Sequence, residues 1–346
     1  MLRGIFPLRS QATSVVTCPC IDPIPSGTQR PFWSVMIPTY NRREYLRATL
    51  ESVLARVRTA EDMQIEVVDN CSTDADIEGM VRQLGGTEVS YYRQPRHVSR
   101  EENINLCIAR AQGHWVHVLH DDDIVLPEFY SEFSRVIRKY PSIVMAYCRA
   151  IVIDADGQWE RIYSPSHAGC RADLQDLRLP LVSYNPIPPS GAIVPRCSYE
   201  RVGGQTLSLH EANDWELWQR IARLGPVGYC SKPLLLWREY TASGFARGIK
   251  SGAVIRERVL GTELAVGRLP PADRQEALRV GRSSAASSAL RYRMELHSQR
   301  FHRAALEHAI WAFRLTPSLR NGVRVIVSMY RLLRSRNSSI ARDRCA

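Results

Sequence analysis

Two alternating rhythms of apolar residues run through the first 245 positions. Ser34-Val-Met-Ile-Pro38 is a short apolar run of strand type, and Tyr45, Leu46, Leu50, Val53 and Leu54 then fall at helical spacing between Arg43 and Val57. The unit recurs: Ile65 to Asp69 reads as a strand and Ile77 to Leu84 as a helix. Val89 to Arg93 is a third strand, and Glu101 to Ala111 a helix with Gly113 suited to its C-cap. Trp115 to His120 is a fourth strand, and Pro127 suits the first turn of a helix running towards Lys139. This alternation predicts an α/β fold with a mostly parallel sheet flanked by helices.

Further on, Ile143 to Ile153 predicts a strand ending in the turn Asp154-Ala-Asp-Gly157. Glu160 to Ser190 reads as a long loop with a short helix around Ala172 to Leu181. Gly191 to Pro195 returns to strand, Ala212 to Leu224 predicts a helix, and Leu234 to Trp237 closes the sheet. Beyond Gly248 the pattern is helical, with breaks expected at Pro270-Pro271, Ser283 to Ser288 and Pro317. Trp215 and Trp218, at helical spacing, are expected in the core.

In open parallel sheets, ligands gather at the carboxyl ends of the strands. Three polar loops follow strands here: Thr39-Tyr-Asn-Arg42, Asp69-Asn-Cys-Ser-Thr-Asp74 and Asp121-Asp-Asp123. Three adjacent carboxylates repel one another, and burial without a positive partner would raise their pKa values. Hard oxygen donors in this density suit Mg²⁺ or Mn²⁺ with a diphosphate completing the shell. The competing reading is a helix cap, which one aspartate satisfies and three exceed. His120, alone before the triplet, is expected to be structural. No G-x-x-x-x-G-K-[ST] or G-x-G-x-x-G loop follows a strand, which disfavours nucleotide hydrolases and dinucleotide enzymes. His210-Glu211 opens like a zinc-protease helix, but Asp214 stands where the second histidine is required.

Taken together and in order, three stretches resemble the signatures of family 2 glycosyltransferases, inverting enzymes with the GT-A fold. They are Ser34-Val-Met-Ile-Pro-Thr-Tyr-Asn-Arg42, Glu66-Val-Val-Asp-Asn-Cys-Ser-Thr-Asp74 and Leu119-His-Asp-Asp-Asp-Ile-Val-Leu-Pro-Glu128. Ser190 to Arg196, Val202-Gly-Gly204 and Asn213 to Ala222 are similar to the acceptor-side half of that family. The resemblance covers about residues 33 to 245. It implies a nucleotide pocket lined by Pro38, Thr39, Tyr40 and Asn41, with Asp69 and Asn70 at the base and ribose. It further implies that Asp121, Asp122 and Asp123 hold ribose, diphosphate and Mg²⁺ or Mn²⁺, with Asp122 and Asp123 as the metal ligands. Asp214 takes the place of the catalytic base, and Arg238 that of a basic residue near the diphosphate. Asn70 departs from a frequent aspartate, which leaves the donor base open among UDP, dTDP and GDP. Asn213 replaces a frequent glutamate, so Glu211 and Glu216 stand as rivals to Asp214.

The expected organisation is a flexible lead-in over 1–30, a GT-A domain over 31–245 and a basic helical region over 246–346. Within the domain, 31–123 is the nucleotide half and 124–245 the acceptor half. The net charge of +11 belongs to the C-terminal third, with 20 basic residues against 7 acidic from Thr241 onward. Peripheral contact with the inner face of the cell membrane is one meaning of that excess, and a solvated arginine-rich face the other. Nucleic acid is not an expected partner, because the basic residues are not interleaved with groove-reading motifs.

The nine cysteines form no C-x-x-C pair, and most of them read as core residues of a reducing compartment. With no spanning run and no apolar signal core in Met1 to Arg30, the expected location is the cytoplasm. The expected activity is therefore metal-dependent, inverting transfer of a sugar from a nucleotide-diphospho-sugar to a saccharide or lipid-linked acceptor, in cell-surface polysaccharide synthesis. Two other readings remain. A sugar nucleotidyltransferase should carry a Gly-rich, Lys-containing loop after its first strand, where Pro38-Thr-Tyr-Asn41 stands instead. A non-catalytic glycan- or membrane-binding protein on the same fold would tolerate loss of Asp122 and Asp214, and both are present.

Overall fold

A computed structural model describes residues 18–57, 62–74, 76–163, 174–240 and 244–343. The first half winds as β1 (Trp33–Thr39), α1 (Arg43–Val57), β2 (Met63–Asp69), α2 (Ile77–Gly85), β3 (Val89–Arg93), α3 (Arg100–Arg110) and β4 (Trp115–Val118). These four strands pair in parallel in the order β3, β2, β1, β4. Side chains alternate across β1. Trp33, Val35 and Ile37 pack into one core with α1, α2 and α4 (Phe129–Lys139), while Met36 joins a second core on the opposite face. Burial on both faces is why these strands read as nearly continuous apolar runs.

Helix starts follow local chemistry. Asp76 accepts from the Gly79 N–H at 2.8 Å to open α2, and Ser99 with Glu102 forms a reciprocal capping box on α3. Gly113 does not cap α3, whose C-cap is Ala111. It serves instead as a point of close approach, since a Cβ there would lie 2.6 Å from the Ser34 backbone nitrogen on β1.

The second half continues the sheet. Two-residue β5 (Ile124–Val125) follows the aspartate triplet, and after α4 come β6 (Met145–Ile153), β7 (Trp159–Tyr163), β8 (Leu174–Gln175) and α5 (Pro180–Ser183). The helix expected near Ala172 to Leu181 thus reduces to α5, with residues 164–173 outside the described residues. Then follow β9 (Ala192–Pro195), α6 (Arg196–Val202), α7 (Asn213–Ile221) and β10 (Val227–Arg238). β9 runs antiparallel between β4 and β6, whereas β10 is parallel to β6, so six of the eight strands on the main path point one way. Trp215 and Trp218 are buried in the second core.

Of the expected lead-in, residues 1–17 lie outside the described residues. The rest is laid on the domain: Ile21 is buried, the Pro19 carbonyl accepts from Gly204 N at 2.9 Å, and Asp22 O accepts from Arg196 at 2.9 Å.

Beyond the sheet lie α8 (Gly244–Ser251), α9 (Ala253–Gly267), α10 (Pro271–Ser298), α11 (His302–Leu315) and α12 (Leu319–Asp343). The break expected at Ser283 to Ser288 does not occur, and α10 runs through it for 28 residues. Ala285, Ala286 and Ala289 bury there, and Ser287 Oγ donates back to the Ser283 carbonyl at 3.0 Å. Alanine's helix preference and tertiary packing override the serines.

Candidate active site

The ends of β1, β2, β4 and β10 meet at one sheet edge. Thr39 closes β1 and donates its hydroxyl to Asp121 Oδ2 at 2.7 Å, with the Tyr40 N–H reaching the same oxygen at 3.4 Å. Asn41, at φ 52°, takes the left-handed conformation that asparagine tolerates. Its amide oxygen accepts from Thr73 N at 2.8 Å and its own N–H donates to Ser72 Oγ at 3.0 Å, joining the first loop to the second. Tyr40 is exposed and stacks on His97 at 4.2 Å between ring centres.

Asp69 and Asn70 are buried and internally bonded. Asp69 Oδ1 accepts from Ser72 N at 2.9 Å and from Ser72 Oγ; its Oδ2 accepts from Tyr91 at 2.7 Å and Arg93 at 2.8 Å. Asn70 pairs both ways with the Val98 main chain, each bond 2.9 Å long. Asp69 is saturated by these bonds, whereas the Asn70 amide keeps a second N–H and a second oxygen lone pair. Pro38 sits half-buried beneath them, paired with Val68 across the ladder.

The triplet divides by environment. Asp121 is buried and held by Thr39, and burial followed by the neighbouring Asp122 charge pushes its pKa up to about 7. Asp123 is buried and raised well above the usual range for the same two reasons. Its Oδ1 accepts from Arg238 N at 2.9 Å, while its buried Oδ2 has no partner. Asp122 is more open; it pairs with Arg42 and accepts from Tyr240 at 3.3 Å.

The positive group that the triplet demands is thus Arg42, which also lies over the Tyr240 ring. Arg238 meets the cluster through its main chain, its side chain going to the carbonyls of Asp122 at 3.1 Å and of Asp154 and Ala155 at 2.9 Å each. It ties the β6 turn to the site edge.

His120, expected to be structural, lies beside the cluster. Ligand atoms of His120, Asp122 and Asp123 lie within 4.8 Å of one another. Burial holds the imidazole neutral, with a pKa near 4, the form that ligates metal. One neutral imidazole, two carboxylates and an unpartnered buried carboxylate oxygen fit a divalent cation of the Mn²⁺ or Mg²⁺ kind.

Asp214 lies in the first turn of α7, where Asn213 Oδ1 accepts from the Asp214 N–H at 2.8 Å. Asn185 donates to Asp214 Oδ2 at 3.2 Å, and burial raises the carboxyl above its ordinary pKa. Five residues beyond Asn185, Ser190 Oγ accepts from His120 N at 3.0 Å. One short segment therefore touches both Asp214 and the His120 main chain. The Arg100 charge acts on His120 and Asp214 alike.

Glu216 is fully buried between Arg220, at 3.0 Å, and Arg268, so it serves α7 packing rather than a reacting group. Glu211 turns to α8, where a Cβ on Gly248 would lie 2.6 Å from its carboxylate. Arg42, Arg100 and the nearness of His120 to Asp122 and Asp123 were not legible beforehand. The one sequence signal was the need of three acids for a cation.

Residues 34–190 match the family model described as Glycosyl transferase family 2. A protein described as an uncharacterized glycosyltransferase from Rickettsia typhi is 24% identical over 217 residues, covering 62% of this chain and 66% of that one. Another from Rickettsia felis is 25% identical over 215 residues, covering 62% of this chain and 35% of that protein. The chain thus spans from a third to just under two thirds of these relatives.

Among solved structures, S. aureus TarS 1-349 in complex with UDP-GlcNAc superposes with a TM-score of 0.60 at 15% identity, covering 86% of this chain and 89% of that one. The mannosyltransferase PcManGT from Pyrobaculum calidifontis, in complex with GDP-Man and Mn²⁺, gives 0.53 at 16% identity over 88% and 81%. At such identity the likeness shows the fold, which is GT-A. Residues 34–190 thus match glycosyl transferase family 2, within a chain whose fold is that of the GT-A glycosyltransferases.

Proposed function

We propose that the protein transfers a sugar, with inversion and with a divalent cation, from a nucleotide-diphospho-sugar to a hydroxyl of a saccharide or lipid-linked acceptor. The observation that carries this reading is the segment from Asn185 to Ser190, which bonds the Asp214 carboxylate at one end and the His120 N–H at the other. In this reading Asp214, its pKa raised by burial, is the carboxylate of the acceptor side, and the acidic cluster that could hold a cation is the donor side. UDP, dTDP and GDP sugars are the donor candidates, and neighbours of this fold hold UDP-GlcNAc and GDP-Man.

In this reading Asp214 accepts the proton of the acceptor hydroxyl as its oxygen attacks the anomeric carbon. The bond from that carbon to the diphosphate oxygen breaks on the opposite face, and the configuration inverts. Asn185 and the Trp215 N–H, at 3.2 and 2.7 Å, fix the carboxylate for that task. Tyr40 and His97 form an aromatic rim over the loops that Asp69 and Asn70 shape. His120, Asp122 and Asp123 would hold the cation, which supplies charge compensation for the diphosphate when bound. Arg42 balances Asp122 in the free protein.

The basic C-terminal region, facing the inner side of the cell membrane, would bring the site to a lipid-linked acceptor in cell-surface polysaccharide synthesis. Among the described residues no helix is long and apolar enough to cross a membrane. The reading is tested by incubating the protein with UDP-, dTDP- and GDP-sugars and a panel of saccharide and lipid-linked acceptors, then determining the anomeric configuration of any product. An inverted linkage supports it; a retained one, or nucleotidyl transfer to a sugar phosphate, overturns it.

A further inference from the structure

A helix docked on a domain normally buries its apolar stripe and shows its polar face to water, and α12 leaves its main apolar stripe outside. Leu319, Val323, Ile326, Val327, Tyr330 and Leu333 follow helical spacing and all face outward, Leu319 being 92% exposed, Ile326 61% and Tyr330 62%. The inward face mixes the half-buried Val325 and Leu332 with polar residues. Asn321 is buried and donates to the Thr316 carbonyl at 2.9 Å, and buried Ser328 bonds His297 at 2.9 Å. The outward stripe therefore has no part in holding α12 to its neighbours.

Charge is distributed to match. At about 100° per residue, Arg320, Arg324, Arg331 and Arg334 all fall along one flank of the stripe. Arg293 of α10 lies close enough to Arg324 and Arg331 for both charges to act on it. No acidic residue occurs between Leu319 and Ser335. Among the described residues Arg293, Arg320, Arg324 and Arg331 have no carboxylate at ion-pair distance. These cations repel one another and lack a counter-charge at ion-pair distance among the described residues.

We propose that the outward face of α12 lies on an anionic lipid bilayer, with its apolar side chains at the boundary of headgroups and acyl chains and its arginines on lipid phosphates. An apolar stripe with a basic flank is the pattern of an interfacial helix, and unpaired arginines gain most beside a negative surface. A second copy of the chain fits less well, because two apposed α12 faces would bring two arginine rows together with no acid in either. The inference deepens the membrane side of the proposed function, but vesicle binding requires no donor or acceptor, so either can fail alone.

The test is flotation of the full chain with neutral phosphatidylcholine vesicles and with vesicles of phosphatidylcholine mixed with phosphatidylglycerol. The expected result is binding to the mixed vesicles only, weakened about fivefold for each of Arg324→Gln and Arg331→Gln and lost in Ile326→Asp/Tyr330→Asp. Far-UV circular dichroism and nucleoside-diphosphate binding, unchanged in all variants, establish that they fold. Equal binding to both vesicle types, binding to neither, or full binding by Ile326→Asp/Tyr330→Asp overturns the proposal. So does a dimer in sedimentation velocity that this variant dissolves while vesicles stay unbound, which would assign the face to a second copy.

Discussion

Arg42 forms an ion pair with Asp122 across 80 residues of sequence, joining the loop after β1 to the acidic triplet after β4. Both side chains are partly shielded from water, so removing the guanidinium leaves Asp122 beside two buried acids with nothing to offset it. Arg42→Met should lose about 1–2 kcal/mol of stability, and added Mn²⁺ should restore part of the loss by taking over the compensation. Urea unfolding with and without the ion measures both effects.

Asp214 must be ionised to accept a proton. Its folded pKa is raised by burial, so the carboxylate begins to protonate at a higher pH than an ordinary aspartate at about 3.9. Turnover should therefore fall as pH drops, with the acid limb above that value, and persist on the alkaline side of it. Asp214→Asn should lower turnover roughly 10²–10⁴-fold while leaving nucleoside-diphosphate affinity unchanged. A pH–rate profile and a binding titration on the same preparations check the pair of outcomes.

Glu257, on α9, reaches back to the entrance of α7. Its Oε2 accepts from the backbone N–H groups of His210 at 2.8 Å, Glu211 at 2.6 Å and Ala212 at 3.1 Å. α7 has no side-chain cap of its own, so this carboxylate acts as one, two residues before Asp214. Glu257→Ala should cost about 1–2 kcal/mol and reduce kcat more than it alters the donor KM. Glu257→Gln, which keeps an acceptor oxygen, should recover much of kcat; steady-state kinetics on both variants decides it.

Asp69 anchors the second loop through four hydrogen bonds. Asp69→Ala should destabilise the protein by about 3 kcal/mol, since Ser72 and Tyr91 are left without their shared acceptor. Because Ser72 also receives the Asn41 N–H, nucleotide binding should weaken with it. A shift in the urea midpoint at constant slope would establish the stability effect.

The alternation of strand and helix was legible because both sheet faces are buried and each helix carries its own period. Polar loops at strand ends followed from the topology alone, and the structure brings the first two together through Asn41 and Ser72. What escaped were relationships set by folding rather than by local pattern. Arg42 and Asp122, or Glu257 and Ala212, meet over separations of 80 and 45 residues, and neither pair has a spacing that announces it. The Ser283 to Ser288 stretch looked like a break because serine favours caps, yet Ala285, Ala286 and Ala289 pack well enough to carry the helix through. Asn70 gives one amide N–H and one lone pair of its oxygen to the Val98 main chain, which no sequence pattern announces. His120 read as structural because a lone histidine usually is, and only the fold brings it to Asp122 and Asp123.

The most direct test of the donor site is calorimetric titration of UDP, GDP and dTDP into wild type and Asp123→Asn, with and without Mn²⁺. The account predicts that at least one of the three binds wild type about tenfold tighter with the ion, roughly 1.4 kcal/mol, and that Asp123→Asn abolishes the gain. Binding that ignores Mn²⁺ in the wild type, or an equal gain in Asp123→Asn, would contradict it.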